Sequence, residues 1–332
     1  MKLSSVAITA FVILVGASST NATFSIAAVD QSTGAMGGAG CSCIYNLPQY
    51  PPMPFTLYEA LYHPVPGKGV FVTQAQPPKS PHAVYKAATK SLKNDAEPKD
   101  IISKITSDSV DPGEFFNTGL PNKGVRQYGI VDLKGRADGY TGDEIGDLNV
   151  LDGFNSTSVQ VYTEKHYSPN ANVGPGKNYA YVAQGNIVSL NTVQTMASAF
   201  ERDDGCDLAG RLFNALNAVD EANKKANATG TTEDNNFEGD VRCEEMNGYP
   251  GYQAFVHVDF KDGSAMHLEW IVEFNDWSNK QGIEANNTIN PFDKLNEQYK
   301  AWRADHDCPP TSGKVRRRAS VGSDLGKPWF GW

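Results

Sequence analysis

Thr23 is the residue with the most chemistry in prospect, and the residues around it say why. The junction Thr20-Asn21-Ala22-Thr23-Phe24-Ser25-Ile26 follows a charged start at Lys2 and an apolar run from Val6 to Val15. Thr20 and Ala22 are the small residues that signal peptidase prefers around a cut, so residues 1–22 read as a secretory signal peptide. Cleavage after Ala22 would make Thr23 the first residue. A terminal threonine carries a hydroxyl and a free α-amine on adjacent carbons. Such an amine titrates at roughly 7.7–8.0 in model compounds. It can take the proton of its own hydroxyl, which is the smallest nucleophile-and-base unit for covalent hydrolysis. From these residues alone the other reading stays open: a secreted chain must begin somewhere, and this one begins at threonine.

Composition agrees with that compartment. About 310 residues remain after the cut, enough for one large domain or two ordinary ones. Hydrophobic residues make up 40% and charged residues 20%, as expected of a soluble globular chain. The only long apolar run is the signal, so no transmembrane helix is expected. The formal charge of -9 argues against nucleic acid or an anionic membrane as partner. Glycosylation sequons stand at Asn155, Asn227 and Asn286. The cysteines are Cys41, Cys43, Cys206, Cys243 and Cys308; in an oxidising compartment they suggest disulfides, and the odd count leaves one over.

The elements that must position Thr23 follow from pattern. Thr23 to Val29 reads as a strand, residues 30–34 as a turn, and Gly37 to Tyr45 as a second strand, giving a hairpin. Tyr45 to Pro66 reads as proline-rich loop and Gly69 to Ala75 as a strand. Ser80-Pro81 opens a helix, and a second helix runs from about Lys99 to Ile105. A hairpin joins Arg126–Asp132 to Arg136–Thr141. Gly142 to Lys177 is polar and long, an inserted loop. A strand at Tyr179–Ala183 precedes helices at Val193–Arg202 and Leu208–Lys225, the latter with a stripe of Leu208, Leu212, Leu216 and Val219. A hairpin over Tyr252–Phe260 and Ser264–Phe274 and a helix at Pro291–Ala304 complete the order. Strands and helices thus come in runs, which is α+β with largely antiparallel sheets. From residue 306 the chain turns basic, with Lys314-Val315-Arg316-Arg317-Arg318, and reads as a disordered tail or a processing site after Arg318.

Other chemistries find less support. Residues 234–245 nearly match an EF-hand loop, but Pro250 and a strand pattern follow where a helix is required. No G-x-S-x-G elbow occurs. The six histidines show no metal spacing; His257 and His267 read as strand residues rather than ligands. No cofactor and no metal site is expected.

Several segments in order resemble the domain-of-unknown-function 1028 family, assigned to the N-terminal nucleophile (Ntn) hydrolases. They are Thr23 to Asp30, Gly34, Gly37 to Cys43, Pro66 to Val70, Thr73-Gln74-Ala75, and Arg126 to Arg136 ending at Thr141-Gly142. Gln184-Gly185-Asn186, Asp207 to Leu212, Gly239 to Cys243 and Tyr299 to Ala304 also fit, so the resemblance covers about 23–306. It implies a four-layer αββα sandwich with the first strand buried at its centre, and Thr23 as nucleophile. The chain departs from the family at Cys41, in long segments 142–177 and 261–290, and after Cys243, so no substrate carries over.

On that frame Thr23 is the expected nucleophile of a secreted amidohydrolase acting on a small-molecule or peptide amide. The alternative is an inactive extracellular binding protein on the same scaffold. Asn186, at a strand end beside Gly185, is the expected oxyanion donor, or else a helix-capping turn residue. Asp30 orients the amine or begins the turn. Ser25 shares a strand face with Thr23, and Ser42 is a second-strand candidate of the same kind. Asp240 and Arg242 could bind a charged substrate end or pair structurally. Thr141 ends a strand near the presumed cleft. Cys43 and Cys243, both in family-matched segments, are the expected disulfide.

Overall fold

The structure is a computed structural model that describes residues 23–42, 56–75, 81–113, 123–142, 162–168, 179–188, 192–202, 207–229, 249–271 and 290–308. Residues 1–22, expected as a signal, together with Cys43, Asn155, Cys206, Asp240, Arg242, Cys243, Asn286, the EF-hand-like stretch and the basic tail, lie outside the described residues.

Two antiparallel sheets and six helices make up the described fold. The strands are β1 (Thr23–Asp30), β2 (Ala35–Ser42), β3 (Tyr62–Val65), β4 (Gly69–Ala75), β5 (Arg126–Asp132), β6 (Ala137–Thr141), β7 (Tyr162–Ser168), β8 (Tyr179–Val188), β9 (Gln253–Asp259) and β10 (Ala265–Ile271). The helices are α1 (Leu57–Leu61), α2 (Pro81–Lys93), α3 (Pro98–Ile105), α4 (Thr192–Arg202), α5 (Leu208–Thr229) and α6 (Pro291–Asp305). One sheet runs β10-β9-β2-β1-β8-β7 and the other β3-β4-β5-β6. Among the described residues no helix is long and apolar enough to cross a membrane.

Strand β1 is buried along its whole length, and its two faces go to different cores. Phe24, Ile26 and Ala28 pack with Val193, Phe200, Leu212 and Leu216 of α4 and α5 and with Phe292 of α6. Ala27 and Val29, on the other face, pack with Val70, Val72 and Val131 of the second sheet and with Leu57, Leu61 and Tyr62. A third cluster joins Phe71, Tyr128 and Ile130 of the second sheet to Val84, Ala88 and Leu92 of α2 and Ile101 and Ile105 of α3. A strand apolar on both faces shows no period-2 alternation and reads as a short continuous run. Strand β2 fits beside it because two neighbouring glycines clear opposite faces. A Cβ on Gly37 would stand 2.6 Å from Leu212 Cδ1 of α5, and one on Gly38 2.7 Å from the Tyr62 ring.

Two segments differ from the sequence reading. The Tyr45–Pro66 loop contains α1 and β3. Thr56 caps α1: its Oγ1 accepts from Glu59 N at 3.3 Å, while Glu59 Oε2 accepts from Thr56 N at 2.9 Å. That reciprocal pair supplies partners to backbone donors that a short helix otherwise leaves unmet. The Gly142–Lys177 insertion contains β7, which pairs with β8 through a register shift between Tyr162 and Glu164.

Candidate functional site

Strand register builds the site. On β1 the side chains of Thr23 and Ser25 share the face that looks toward the second sheet, as Ala27 and Val29 do. Thr23 pairs with Ser42 on one side and with Asn186 on the other, and Ser42 pairs in turn with Gln253. Four polar side chains, Gln253-Ser42-Thr23-Asn186, therefore lie in one row across β9, β2, β1 and β8. One step inward Ser25 pairs with Gln184. All six are buried.

The second sheet completes the group with two glutamines. Thr23 Oγ1 and Ser42 Oγ are 2.9 Å apart. Gln74 Nε2 of β4 donates to the Thr23 carbonyl at 3.2 Å, and Ser25 Oγ donates to Gln74 Oε1 at 2.6 Å. Gln127 of β5 is the hub. Its Oε1 accepts from Gln74 Nε2 at 2.5 Å and from Asn186 Nδ2 at 3.2 Å. Its Nε2 donates to the Gly185 carbonyl at 2.9 Å and to Thr141 Oγ1 at 3.0 Å. The network ties the start of β1 to both sheets with neutral groups throughout. Neutral amides and hydroxyls avoid the desolvation cost of buried charges while fixing orientation.

Not every polar atom is satisfied. Among the described residues, Asn186 Oδ1, both polar atoms of Gln184, and Gln253 Oε1 find no hydrogen-bond partner. A buried amide atom without a partner costs about 1–3 kcal/mol, so a polar ligand that reached these atoms would recover that cost. The arrangement can thus hold a hydroxyl nucleophile against Ser42 and offer uncommitted amide groups beside it.

Of the residues expected from sequence, Thr23, Ser25, Ser42, Asn186 and Thr141 come together here. Asn186 is the direct cross-strand partner of Thr23, and Thr141 enters through Gln127. Asp30 does not join them. It sits at the far end of β1, about 23 Å along an extended strand. There its Oδ1 accepts from Ser32 N at 2.9 Å and Ser32 Oγ at 2.5 Å, so it closes the β1–β2 turn. Cys41 is buried on the helix side of β2 and is not disulfide-bonded. Cys308 is disulfide-bonded. Asn227 falls near the end of α5. Arg126 pairs with Asp111 at 3.1 Å on the outer face of β5, with both side chains 1% exposed. Gln74, Gln127 and Gln184 received no role from the sequence reading. The signal was there: in β4 the same-face series Val70, Val72, Gln74 breaks from apolar to amide at the strand end. Among the described residues, no group of three or more His, Cys, Asp and Glu side chains could hold a metal ion.

A family model described as "Family of unknown function (DUF1028)" matches residues 23–160. The chain is similar to that family over those residues. The match spans β1 to β6 and so includes Thr23, Ser42, Gln74, Gln127 and Thr141, while Gln184, Asn186 and Gln253 lie beyond it. No curated protein matches the chain in sequence. A crystal structure of a Silicibacter pomeroyi protein, titled with the same DUF1028 family, superposes with a TM-score of 0.51 at 18% identity. The superposition covers 90% of this chain and all of the other. At that identity the likeness concerns the fold.

Proposed function

We propose that this chain is a secreted amidohydrolase of the N-terminal nucleophile type, with Thr23 as nucleophile once residues 1–22 are removed. The supporting observation is the row through Thr23. The residue that opens β1, and at which the family match begins, has its hydroxyl 2.9 Å from Ser42 Oγ and lies beside Asn186. On this reading the two sheets with their outer helices are the four-layer αββα sandwich of that superfamily.

Thr23 Oγ attacks the carbonyl carbon of an amide, and the freed α-amine takes the hydroxyl proton. The C–N bond breaks, the proton leaves with the amine product, and water cleaves the resulting ester. Ser42 orients the attacking hydroxyl. Asn186 Nδ2 gives one N–H to Gln127 Oε1 and keeps a second for the oxyanion. The α-nitrogen is an amide until cleavage, so chemistry begins only after the signal is lost. A Cys43–Cys243 disulfide and glycans at Asn155, Asn227 and Asn286 belong to the same secretory reading.

Terminal sequencing and a threonine-directed electrophile test it together. The secreted protein should start at Thr23 and label there. Thr23→Ala should fold and fail to label, Thr23→Ser should label in part, and an extra alanine before Thr23 should abolish labelling as completely as Thr23→Ala. A mature terminus elsewhere, or labelling that survives Thr23→Ala, defeats the proposal. Folded protein with a free Thr23 that never labels points instead to a binding protein on this scaffold.

A further inference from the structure

The polar row through Thr23 stands at strand ends. Thr23 opens β1, Ser42 closes β2, Gln253 opens β9, and Thr141 closes β6 of the facing sheet. Backbone carbonyls, which only accept, fix how the amides there are turned. The Gly185 carbonyl takes an N–H of Gln127 at 2.9 Å, and the Thr23 carbonyl takes one of Gln74 at 3.2 Å. Gln127 Oε1 is therefore the acceptor that faces Asn186, whose Nδ2 donates to it at 3.2 Å. Asn186 Oδ1 is left as an acceptor with no donor among the described residues, and Gln184 has neither its oxygen nor its nitrogen engaged there. Both residues are 0% exposed, so bulk water does not supply the missing partners. Gln253 Oε1 is also unmet, but it lies three strands from Asn186, roughly 14 Å across the sheet, beyond the reach of one small group.

The unspent atoms of Gln184 and Asn186 define a complement. Two oxygens call for donors, and Gln184 Nε2 calls for an acceptor. A carboxylate carries acceptors alone and meets both oxygens, oxygen to oxygen. An ammonium carries donors alone and leaves Gln184 Nε2 unmet. A trans peptide group points its N–H and C=O opposite ways, so it cannot serve both atoms of one side chain. A primary carboxamide or a ureido group holds N–H and C=O on the same edge. It gives N–H to Gln184 Oε1, takes N–H from Gln184 Nε2, and keeps another N–H for Asn186 Oδ1. Lys165 of β7 stands in register with Gln184, so a carboxylate is the rival that the test includes.

We infer that Gln184 and Asn186 Oδ1 form a specificity subsite for an uncharged carboxamide or ureido group of the substrate. That the ligand is a substrate rests on Thr23 being the nucleophile, whereas its chemical class rests on Gln184 and Asn186 alone. Asn186 is the direct cross-strand partner of Thr23, and Gln184 is the diagonal one, about 7–8 Å away. The recognised group therefore sits only a few bonds from the carbonyl that Thr23 attacks, as in a glutaminyl or asparaginyl compound.

The test scores binding apart from labelling. N-acetylglutamine methylamide and N-acetylglutamate methylamide differ, at neutral pH, only in carboxamide against carboxylate. Calorimetric titration of the full secreted Thr23→Ala protein, which lacks the attacking hydroxyl, should find the carboxamide bound tighter by about 10-fold or more. Gln184→Leu in that background, folded by circular dichroism, should lose the preference; Gln184→Met, closer in length, replaces it if leucine disturbs the fold. Electrophile labelling of Thr23 is read on the parent protein. A carboxamide preference without labelling keeps the subsite and removes the nucleophile, and labelling without the preference does the reverse. The subsite is overturned if neither compound binds, if the carboxylate binds as tightly or tighter, which would assign the position to Lys165, or if the folded Gln184 variants keep the preference.

Discussion

The inter-sheet face of the six-stranded sheet carries two polar groups of opposite character. At the Thr23 end, hydroxyls and amides from β1, β2, β4, β5 and β8 interlock without a titratable side chain among the described residues, and several amide atoms stay uncommitted. At the His257 end, Tyr62, Asp259, His257, His267 and Glu269 form a chain of ionisable groups that runs outward to the edge strand β10. Both sit on strands packed against apolar neighbours, so the difference lies in access to solvent. Ionisable groups persist where one end of the chain reaches water or meets a counter-charge. The enclosed end keeps its geometry with neutral groups, whose hydrogen bonds do not vary with pH.

That contrast breaks most visibly at the hub. Gln127→Ala leaves Gln74, Asn186, Thr141 and the Gly185 carbonyl short of partners at once. It should destabilise the protein by about 2–4 kcal/mol in denaturant titration and lower electrophile labelling of Thr23. Thr141→Val, which removes one hydrogen bond at the rim, should cost about 1 kcal/mol. Equal losses in the two variants would mean that the network does not act as a unit.

Acid separates the two ends from a third region. His63, on the outer face of β3, stacks on Tyr85 at 4.1 Å, and burial lowers its pKa to about 4. Its neutral form is favoured in the folded state. The stability this brings is complete above the unfolded pKa near 6.5 and drains as pH falls from about 6.5 toward 4, by about 1–3 kcal/mol. His63→Phe should flatten the stability profile over that window. An unchanged profile would mean that His63 does not set the acid sensitivity.

The smallest effect should be a gain. Gln184 is buried with neither polar atom satisfied among the described residues, so Gln184→Leu should raise stability by about 0.5–2 kcal/mol in the absence of ligand. On the proposed function it should also weaken substrate binding. A loss of stability would mean that the amide is already satisfied in solution.

Much of this was legible beforehand. The hairpins, the α2 and α3 helices, the α5 stripe and the strand that begins at Thr23 follow from local rules, because strand and helix periods and turn residues act within a few positions. Helix α1 was legible too, in the capping box Thr56-Leu57-Tyr58-Glu59, but the prolines around it masked the signal. Strand β7 was not, since Tyr162 to Ser168 is polar and gains its strand state from pairing with β8.

The sequence by itself determined that Thr23 opens a strand and that Ser25 shares its face, because both depend on neighbours in the chain. Only the tertiary structure decided that Ser42 and Asn186 flank Thr23, that Gln74 and Gln127 reach it from the other sheet, and that His257 faces His267. These pairings join residues from 10 to 163 positions apart. Strand order and register bring them together, and a single-residue slip would turn every one of those side chains to the opposite face.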